Sequence, residues 1–313
     1  MCIRDSIIAG AGAVGTHLAK LLSEEKHDII LMDIEKANLS KAHSINEIIT
    51  YTGSPTSLKD LNAVNADEAD LFIAVTPNES VNITACILAS NLGTERTFAR
   101  IDNYEYLLPK NKELFQKLGV GSMIYPEMLA AKEIVTAIKH PWVRYWLELC
   151  NGAINLVGVR VMPGSSFANK YLYEFAGEAK QFHIVAIKRG NTTLIPKGDD
   201  QIYTDDLLFI TSTKEHINSI PKLIGKEVID IKTVMIMGGS RIAIRTCQYL
   251  PDDINIKLLE TDREKCEYLL DKVPKNVTIF HDDGRNADFL IKEGIEGVDA
   301  FIAVTGNSEA NIM

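Results

Sequence analysis

Short apolar runs alternate with stretches of helical periodicity along the first 125 residues. Val14, Leu18, Leu21 and Leu22 recur at helical spacing and predict an amphipathic helix with one apolar face. The apolar runs predict six strands, at residues 7–9, 28–33, 48–52, 71–76, 97–101 and 122–126. This alternation is typical of a doubly wound parallel sheet with helices on both of its faces.

The pattern changes after a further predicted helix. Pro126 suits the first turn of that helix, which is expected to end before Pro141. Strands are then predicted at residues 154–161, 182–190, 192–196 and 206–213, with a tight turn at Gly190 and helices starting near Ser166 and covering 214–224. These elements predict a small α+β domain.

The sequence contains an internal repeat. TVMIMGGSRIA at 233–243 has the same form as residues 5–15, and FIAVTGNSEANI at 301–312 matches FIAVTPNESVNI at 72–83. NIKLLETD matches DIILMDIE and places Glu260 opposite Asp33. The offset stays between 227 and 229 residues, which indicates duplication of a Rossmann-like unit.

Both ends of the chain depart from this pattern. Arg4, Asp5 and Ser6 interrupt the apolar run expected before Gly10, so residues 1–6 are interpreted as a foreign or misread start and the first strand as residues 7–9. The second copy stops after its fourth strand, and we expect the natural protein to be longer than these 313 residues. The predicted domains are a Rossmann domain with its following helix at 1–140, an α+β domain at 141–227 and an incomplete second Rossmann-like domain at 228–313.

Composition narrows the class of protein. A formal net charge of −9 argues against general affinity for nucleic acid or anionic lipid, and no apolar run approaches the roughly 20 residues of a membrane span. No signal peptide is predicted. The cysteines show no CxxC or metal-like spacing, which favours reduced thiols in a cytosol; they are Cys2, Cys86, Cys150, Cys247 and Cys266. Cys86 is expected in the core.

GAGAVG at residues 10–15 is the strongest chemical signal. Gly10 suits a tight turn, Gly12 lets a pyrophosphate approach the backbone, and Gly15 lets helix and strand pack closely. The helix that follows offers free N–H groups to phosphate. Asp33 ends the second strand 18 residues after Gly15, where an acid accepts ribose hydroxyls and repels a 2′-phosphate. The pattern predicts binding of NAD(H) or an adenine nucleotide in preference to NADP(H).

The second copy keeps only part of this signal. Gly238 and Gly239 remain, but Ser240 replaces the middle glycine and Ala243 the last. The acid persists as Glu260. A further acid, Asp283, is expected after the third strand of the copy. Both a second binding site and a purely architectural repeat remain open.

Other candidate residues lie at the carboxyl ends of strands. Thr76 and Pro77 follow the fourth strand and face the crevice where ligands bind in such sheets. Arg100 ends the fifth strand, near a phosphate or a neighbouring subunit; the alternative is an ion pair with Asp102 or a helix acid. The acids Asp199, Asp200, Asp205 and Asp206 are interpreted as turn residues, and the seven histidines show no metal-like spacing.

The order of these parts resembles the TrkA family, the regulatory subunits of Trk potassium-uptake systems. Members consist of two tandem RCK units, regulators of potassium conductance. The phrases that carry the resemblance are GAGAVG, LMD, FIAVTPNESVNI, FARID, VAIKRG and TDDLLFIT, and it extends over residues 7–313. Asp205 stands where that C-terminal module usually has glycine.

The resemblance implies a cytoplasmic, peripheral membrane protein without catalytic turnover. Such proteins form rings of RCK units attached to a potassium-translocating membrane subunit, and NAD(H) and ATP or ADP bind their Rossmann crevices. The helix after Pro126 would join the two lobes of an RCK unit. The ligand contacts carried over onto this sequence are Gly10, Ala11, Gly12, Ala13, Val14, Asp33, Thr76, Pro77 and Arg100, with Gly15 completing the turn.

Two alternatives remain open. An NAD-dependent dehydrogenase would need an acid/base residue in the α+β domain, where His183 and Lys188 are the candidates. The chain could also be the RCK regulator of another cation channel or an antiporter. Duplication within one chain favours the Trk system over regulators that carry a single unit.

Overall fold

The computed structural model describes residues 5–40, 48–178 and 181–312. A six-stranded parallel sheet comes first, in the strand order β3-β2-β1-β4-β5-β6. Its strands are β1 (Asp5–Ala9), β2 (Asp28–Asp33), β3 (Ile48–Thr52), β4 (Leu71–Ala74), β5 (Arg96–Arg100) and β6 (Ser122–Ile124). The helices between and after them are α1 (Ala13–Glu24), α2 (Lys36–Leu39), α3 (Leu58–Ala63), α4 (Glu79–Leu92), α5 (Pro109–Lys117) and α6 (Pro126–Lys139). All six predicted strands are present, and the order is that of a Rossmann sheet.

Both faces of this sheet are covered. Ile7 and Phe72 belong to one core cluster, whereas their neighbours Ile8 and Ile73 belong to a second cluster on the other face. All four residues of β4 are buried. Continuous apolar strands are what a parallel sheet between two helical layers requires.

Helix α1 packs only part of its predicted apolar face on the sheet, since Leu18 and Leu22 contact the core and two other residues of that face do not. Gly15 and Ala19 are buried, whereas Val14 is 48% exposed and Leu21 46% exposed. A Cβ atom on Gly15 would lie 1.8 Å from the carbonyl oxygen of Gly10, so the smallest residues of the helix face the sheet at closest approach. The prediction of one apolar face is therefore wrong for Val14 and Leu21.

Strand β1 begins earlier than its polar residues suggest. It includes Asp5 and Ser6, which pair with Asp28 and Ile29 of β2. Ser6 is 1% exposed, and its hydroxyl has no hydrogen-bond partner among the described residues. Backbone pairing with β2 thus extends the strand to Asp5, although the polar side chains of Asp5 and Ser6 do not favour burial.

The α+β domain is an antiparallel sheet in the order β10-β9-β11-β8-β7. Its strands are β7 (Tyr145–Leu149), β8 (Ile154–Arg160), β9 (Phe182–Arg189), β10 (Thr192–Leu194) and β11 (Leu207–Thr213). β7 was not predicted, because this edge strand leaves four of its five residues exposed and shows no apolar alternation. The predicted helices are short: 3-10 turns at Leu172–Glu178 and Ile217–Ser219, and α7 (Ile220–Leu223).

The two acids before β11 are not equivalent. Asp205 is exposed and adopts the left-handed region with φ +69°, which explains why glycine suits this position in similar modules. Asp206 is 2% exposed and accepts two hydrogen bonds from the Arg189 guanidinium, at 2.9 and 2.7 Å. Asp206 closes the predicted turn, because its N–H donates to the Tyr203 carbonyl at 3.2 Å, and its carboxylate also ties β9 to the start of β11.

A second parallel sheet follows, in the order β14-β13-β12-β15. Its strands are β12 (Thr233–Met237), β13 (Asn255–Glu260), β14 (Val277–His281) and β15 (Ala300–Ala303). Its helices are α8 (Arg241–Tyr249), α9 (Arg263–Leu270), α10 (Ala287–Lys292) and α11 (Ser308–Ile312). The order repeats β3-β2-β1-β4. Phe301 is 42% exposed, whereas its counterpart Phe72 is fully buried, because β15 ends the described sheet where β4 pairs with β5.

The chain divides into two compact units, residues 1–129 and 130–313. The second unit contains the carboxyl part of α6, whose Val135 and Ile138 belong to the core cluster of β12 and β13. Among the described residues, no helix has the length and apolar content needed to cross a lipid bilayer.

Candidate nucleotide crevices

The first glycine turn leaves the start of α1 open. Gly10 has φ +109° and donates its N–H to the Met32 carbonyl at 2.8 Å, and a Cβ there would lie 2.9 Å from the Thr76 nitrogen. Gly12 is the N-cap residue of α1. Within residues 5–40, 48–178 and 181–312, no side chain caps the helix and a Cβ on Gly12 would meet no atom within 4 Å. The first N–H groups of a helix have no partner within it. The N–H groups of Ala13, Val14 and Gly15 are therefore suited to an anionic ligand.

Asp33 joins this turn to the end of β2. Its Oδ2 accepts the Ala11 N–H at 2.7 Å, and its Oδ1 accepts the Glu35 N–H at 2.8 Å and the Asn38 amide at 3.2 Å. An ionised carboxylate has about four acceptor positions, and three donors reach it from the described residues. The carboxylate thus positions the turn and keeps an acceptor position for a ribose hydroxyl.

Thr76 lies beside the glycine turn, held by a residue that the sequence reasoning missed. The Thr76 N–H and hydroxyl donate to the Asn82 side-chain oxygen at 2.9 and 2.7 Å. The Asn82 amide donates to the carbonyls of Thr76 and Arg100 at 3.0 and 2.9 Å, and Asn82 is fully buried. Pro77 follows in the exposed turn before α4. The signal for Asn82 was its repetition as Asn311 in the duplicated phrase.

Arg100 forms an ion pair at the end of β5. Its guanidinium lies 3.0 Å from the Glu127 carboxylate in the first turn of α6, with side-chain exposures of 28% and 17%. The other Glu127 oxygen is buried without a hydrogen-bond partner among the described residues. The helix-acid alternative thus describes Arg100 in this structure.

The turn of the second copy has the same backbone geometry. Gly238 has φ +99° and donates its N–H to the Leu259 carbonyl at 2.8 Å, as Gly10 does to Met32. The Gly239 N–H donates to Glu260 at 2.9 Å, as Ala11 does to Asp33. The difference is at Ser240, whose hydroxyl accepts the Ala243 N–H at 3.3 Å and caps α8.

Glu260 is more completely enclosed than Asp33. Its Oε2 accepts the Gly239 N–H and lies 2.7 Å from the Lys265 ammonium, while Oε1 accepts the N–H groups of Thr261 and Asp262 at 2.8 and 3.1 Å. Burial by itself would raise the pKa of Glu260. The hydrogen bonds from Lys265 and the backbone outweigh it and lower this pKa from 4.5 to about 2.

Asp283 and Arg285 line the same crevice. The Arg285 guanidinium lies 2.6 Å from the Asp283 carboxylate and holds the pKa of that carboxyl at about 2. A cavity of about 240 Å³ extends from Ser240 and Glu260 to this pair. The structure therefore brings Gly238, Glu260 and Asp283 together around one opening.

The residues considered for catalysis are scattered. His183 and Lys188 are both exposed on β9. Cys86 is fully buried, as expected, and burial raises the pKa of its thiol to about 12. The described residues contain no group of three or more His, Cys, Asp or Glu side chains able to hold a metal ion.

Comparison with known proteins identifies the family. The TrkA-N domain family matches residues 6–126 and 234–313, and the TrkA-C domain family matches residues 156–238. The Trk system potassium uptake protein TrkA of Haemophilus influenzae is 34% identical over 313 residues, which are 98% of this chain and 68% of that protein.

Solved structures share the fold. A GsuK channel bound to NAD is 17% identical with a TM-score of 0.71, over 99% of this chain and 54% of that chain. A GsuK structure bound to ADP is 12% identical with a TM-score of 0.54, over 99% of this chain and 56% of that chain. The duplicated glycine turns, the order of the three sheets and the matched families together show that this chain belongs to the TrkA family of Trk system potassium uptake proteins.

Proposed function

We propose that this chain is a nucleotide-sensing regulatory subunit of a Trk-type potassium-uptake system, and that NAD(H) binds its first crevice. The observation that carries the proposal is the uncapped start of α1 beside an acid with an unused acceptor position. Phosphate would approach the N–H groups of Ala13 and Val14, and the adenosine ribose would donate to Asp33. The NAD named with the GsuK channel of similar fold supports this choice of ligand.

The remaining contacts follow from the elements around the turn. Thr76 and Pro77 would border the crevice, and Arg100 would reach a phosphate only on leaving Glu127. ATP or ADP would use the same N–H groups, and the ADP named with a GsuK structure supports adenine nucleotides as a second ligand class. A 2′-phosphate would be repelled by Asp33, which favours NAD(H) over NADP(H).

The proposed mechanism is linkage, without catalytic turnover. A ligand shifts a conformational equilibrium only by its difference in affinity for the two states, typically about 1–3 kcal/mol per coupling. Several chains in a ring would add such contributions. We assign the regulated pore to a potassium-translocating membrane subunit, and the ring would attach to the cytoplasmic side of that subunit. Within this chain, the proposed domains are residues 1–140, 141–227 and 228–313.

Titration of the 313-residue chain with NADH tests the ligand. We expect saturable binding that Asp33→Asn weakens at least tenfold, because the amide has one acceptor oxygen in place of two and carries no charge to strengthen the bond from a ribose hydroxyl. Asp28→Asn is the matched control, since Asp28 is exposed at the opposite end of the same strand. Absence of binding of NADH, NAD and ATP to the folded chain would refute the proposal.

Potassium uptake tests the regulatory role. Cells that lack their own Trk regulatory subunit and express this protein with a Trk membrane subunit should take up potassium, and Asp33→Asn should change the dependence of uptake on the NADH/NAD ratio. A dehydrogenase would instead consume NADH with an added keto acid, or form NADH from NAD with an added hydroxy acid. Such turnover would contradict the regulatory assignment.

A further inference from the structure

In the second crevice, side chains of the protein bind the two groups that a dinucleotide would need. These groups are the acid after the second strand, which would accept a ribose hydroxyl, and the helix N–H groups, which would donate to a phosphate. The structural equivalence of the copies is close, because Gly10 and Gly238 make the same backbone bond and Asp33 and Glu260 hold the same turn. Equivalent residues of the two crevices can therefore be compared directly.

The first difference concerns the acid. Lys265 occupies the position in the second copy that Asn38 occupies in the first, five residues after the acid. Its ammonium lies 2.7 Å from Glu260, whereas the Asn38 amide lies 3.2 Å from Asp33. Three backbone N–H groups and the Thr261 hydroxyl also donate to Glu260, so with Lys265 five donors reach a carboxylate that has about four acceptor positions. A ribose hydroxyl finds no acceptor there.

The second difference concerns the helix start. Ser240 occupies the position of Gly12, and its hydroxyl accepts the Ala243 N–H that would otherwise be available to a phosphate oxygen. In the first copy no side chain caps α1, and the space beside Gly12 is open for at least 4 Å. The serine thus satisfies the helix start internally.

We propose that Ser240 and Lys265 are specificity-determining residues. Their side chains satisfy the hydrogen-bonding groups of the second crevice and so confine NAD(H) to the first crevice. The serine hydroxyl takes the place of a phosphate oxygen, and the lysine ammonium takes the place of a ribose hydroxyl. The inference rests on the proposed function of the first crevice. The full chain then binds a single NADH, although it contains two Rossmann copies.

Calorimetric titration of the full chain with NADH, read as stoichiometry, tests this inference. The wild-type chain should bind one NADH, and Asp33→Asn should weaken that single site at least tenfold without revealing a second one. In the Asp33→Asn background, Ser240→Gly with Lys265→Asn introduces the residues of the first copy at these two positions and should restore one tightly bound NADH. Lys275→Asn in the same background is the control, because Lys275 is exposed and outside the cavity lining.

The outcomes separate the two proposals. No NADH bound to the wild-type chain refutes the proposed function and this inference with it. Two NADH per wild-type chain, or one NADH whose binding Asp33→Asn does not weaken, overturns the inference and leaves nucleotide binding by this chain standing. A triple variant that keeps its hydrogen-exchange protection and binds nothing also overturns it. If that variant does not fold, the stoichiometries of the wild-type and Asp33→Asn chains decide.

Discussion

The two Rossmann copies of this chain share a backbone and differ in what their crevices leave open. Gly10 and Gly238 make the same bend, and an acid at the end of the second strand accepts the next N–H in each copy. As far as the described residues show, only the first copy leaves an acceptor position on its acid and uncapped N–H groups at its helix start. The acid after the second strand thus has a structural role in both copies, because it accepts a backbone N–H of the glycine turn. The presence of this acid in a repeat therefore does not by itself indicate that the repeat binds a ligand.

The copies also fix the turn after their fourth strand with the same side chain. Thr76 bonds to Asn82 and Thr305 bonds to Asn311 with nearly equal distances, 2.7 Å between hydroxyl and amide oxygen in both. Asn82 alone reaches a fifth strand, through the Arg100 carbonyl. The first copy therefore depends more on this residue than the second copy does.

The largest expected effect is on this asparagine. Asn82→Ala should lower the free energy of unfolding of the first copy by about 3 kcal/mol, because it leaves buried backbone groups of Thr76 and Arg100 without partners. Asn311→Ala should cost the second copy about 1–2 kcal/mol, since fewer groups are left unpaired. Amide hydrogen exchange resolved by copy measures both. Equal losses would contradict the asymmetry.

The next effect concerns the partners of the two acids. Lys265→Ala should destabilise the second copy by about 2–3 kcal/mol, because Glu260 is buried and loses its cation while the lysine itself is 43% exposed. Asn38→Ala should cost the first copy less than about 1 kcal/mol. Thermal unfolding of both variants compares them. A Lys265 variant as stable as the Asn38 variant would show that the ion pair contributes no stability.

Acid should affect the second crevice through Glu260. The folded-state pKa of about 2 lies below the ordinary value of 4.5, so this carboxylate contributes stability that is complete above pH 4.5 and is lost as the pH falls toward 2. Glu260→Gln should flatten the stability profile in that range and retain only the part that comes from groups such as Asp283. Denaturant unfolding between pH 5 and pH 2 provides the profile. Superimposable slopes for the wild-type and variant chains would contradict the assignment.

The smallest expected effect on folding separates ligand binding from stability. Gly12→Ser should leave the free energy of unfolding within about 0.5 kcal/mol of wild type, because the space beside Gly12 is open and serine is a good N-cap residue. The same change should weaken NADH binding about tenfold, or 1.4 kcal/mol, since the hydroxyl takes an N–H group from the phosphate. Unfolding and NADH titration are measured on the same preparation. A stable variant with unchanged affinity would place the pyrophosphate elsewhere.

Much of the first crevice could be predicted from local sequence. The glycines of GAGAVG satisfy steric demands that no other residue meets, and Asp33 follows a strand at a recognisable distance. Lys265 was not found, although the aligned copies place it opposite Asn38, because its importance depends on how fully Glu260 is buried. Asn82 was missed because an asparagine on an apolar helix gives no sign of the distant carbonyl to which it donates.

The sequence by itself determined the parallel sheets, their duplication and the positions of the two glycine turns, because hydrophobic periodicity and glycine geometry are local properties of the chain. Tertiary structure decided which side of α1 is buried, how many donors each acid accepts and which partner Arg100 finds. Those outcomes depend on close approach between residues far apart in sequence, as between Gly15 and the sheet or Arg100 and Glu127. Burial then determines whether a polar group is left for a ligand or is satisfied by the protein itself.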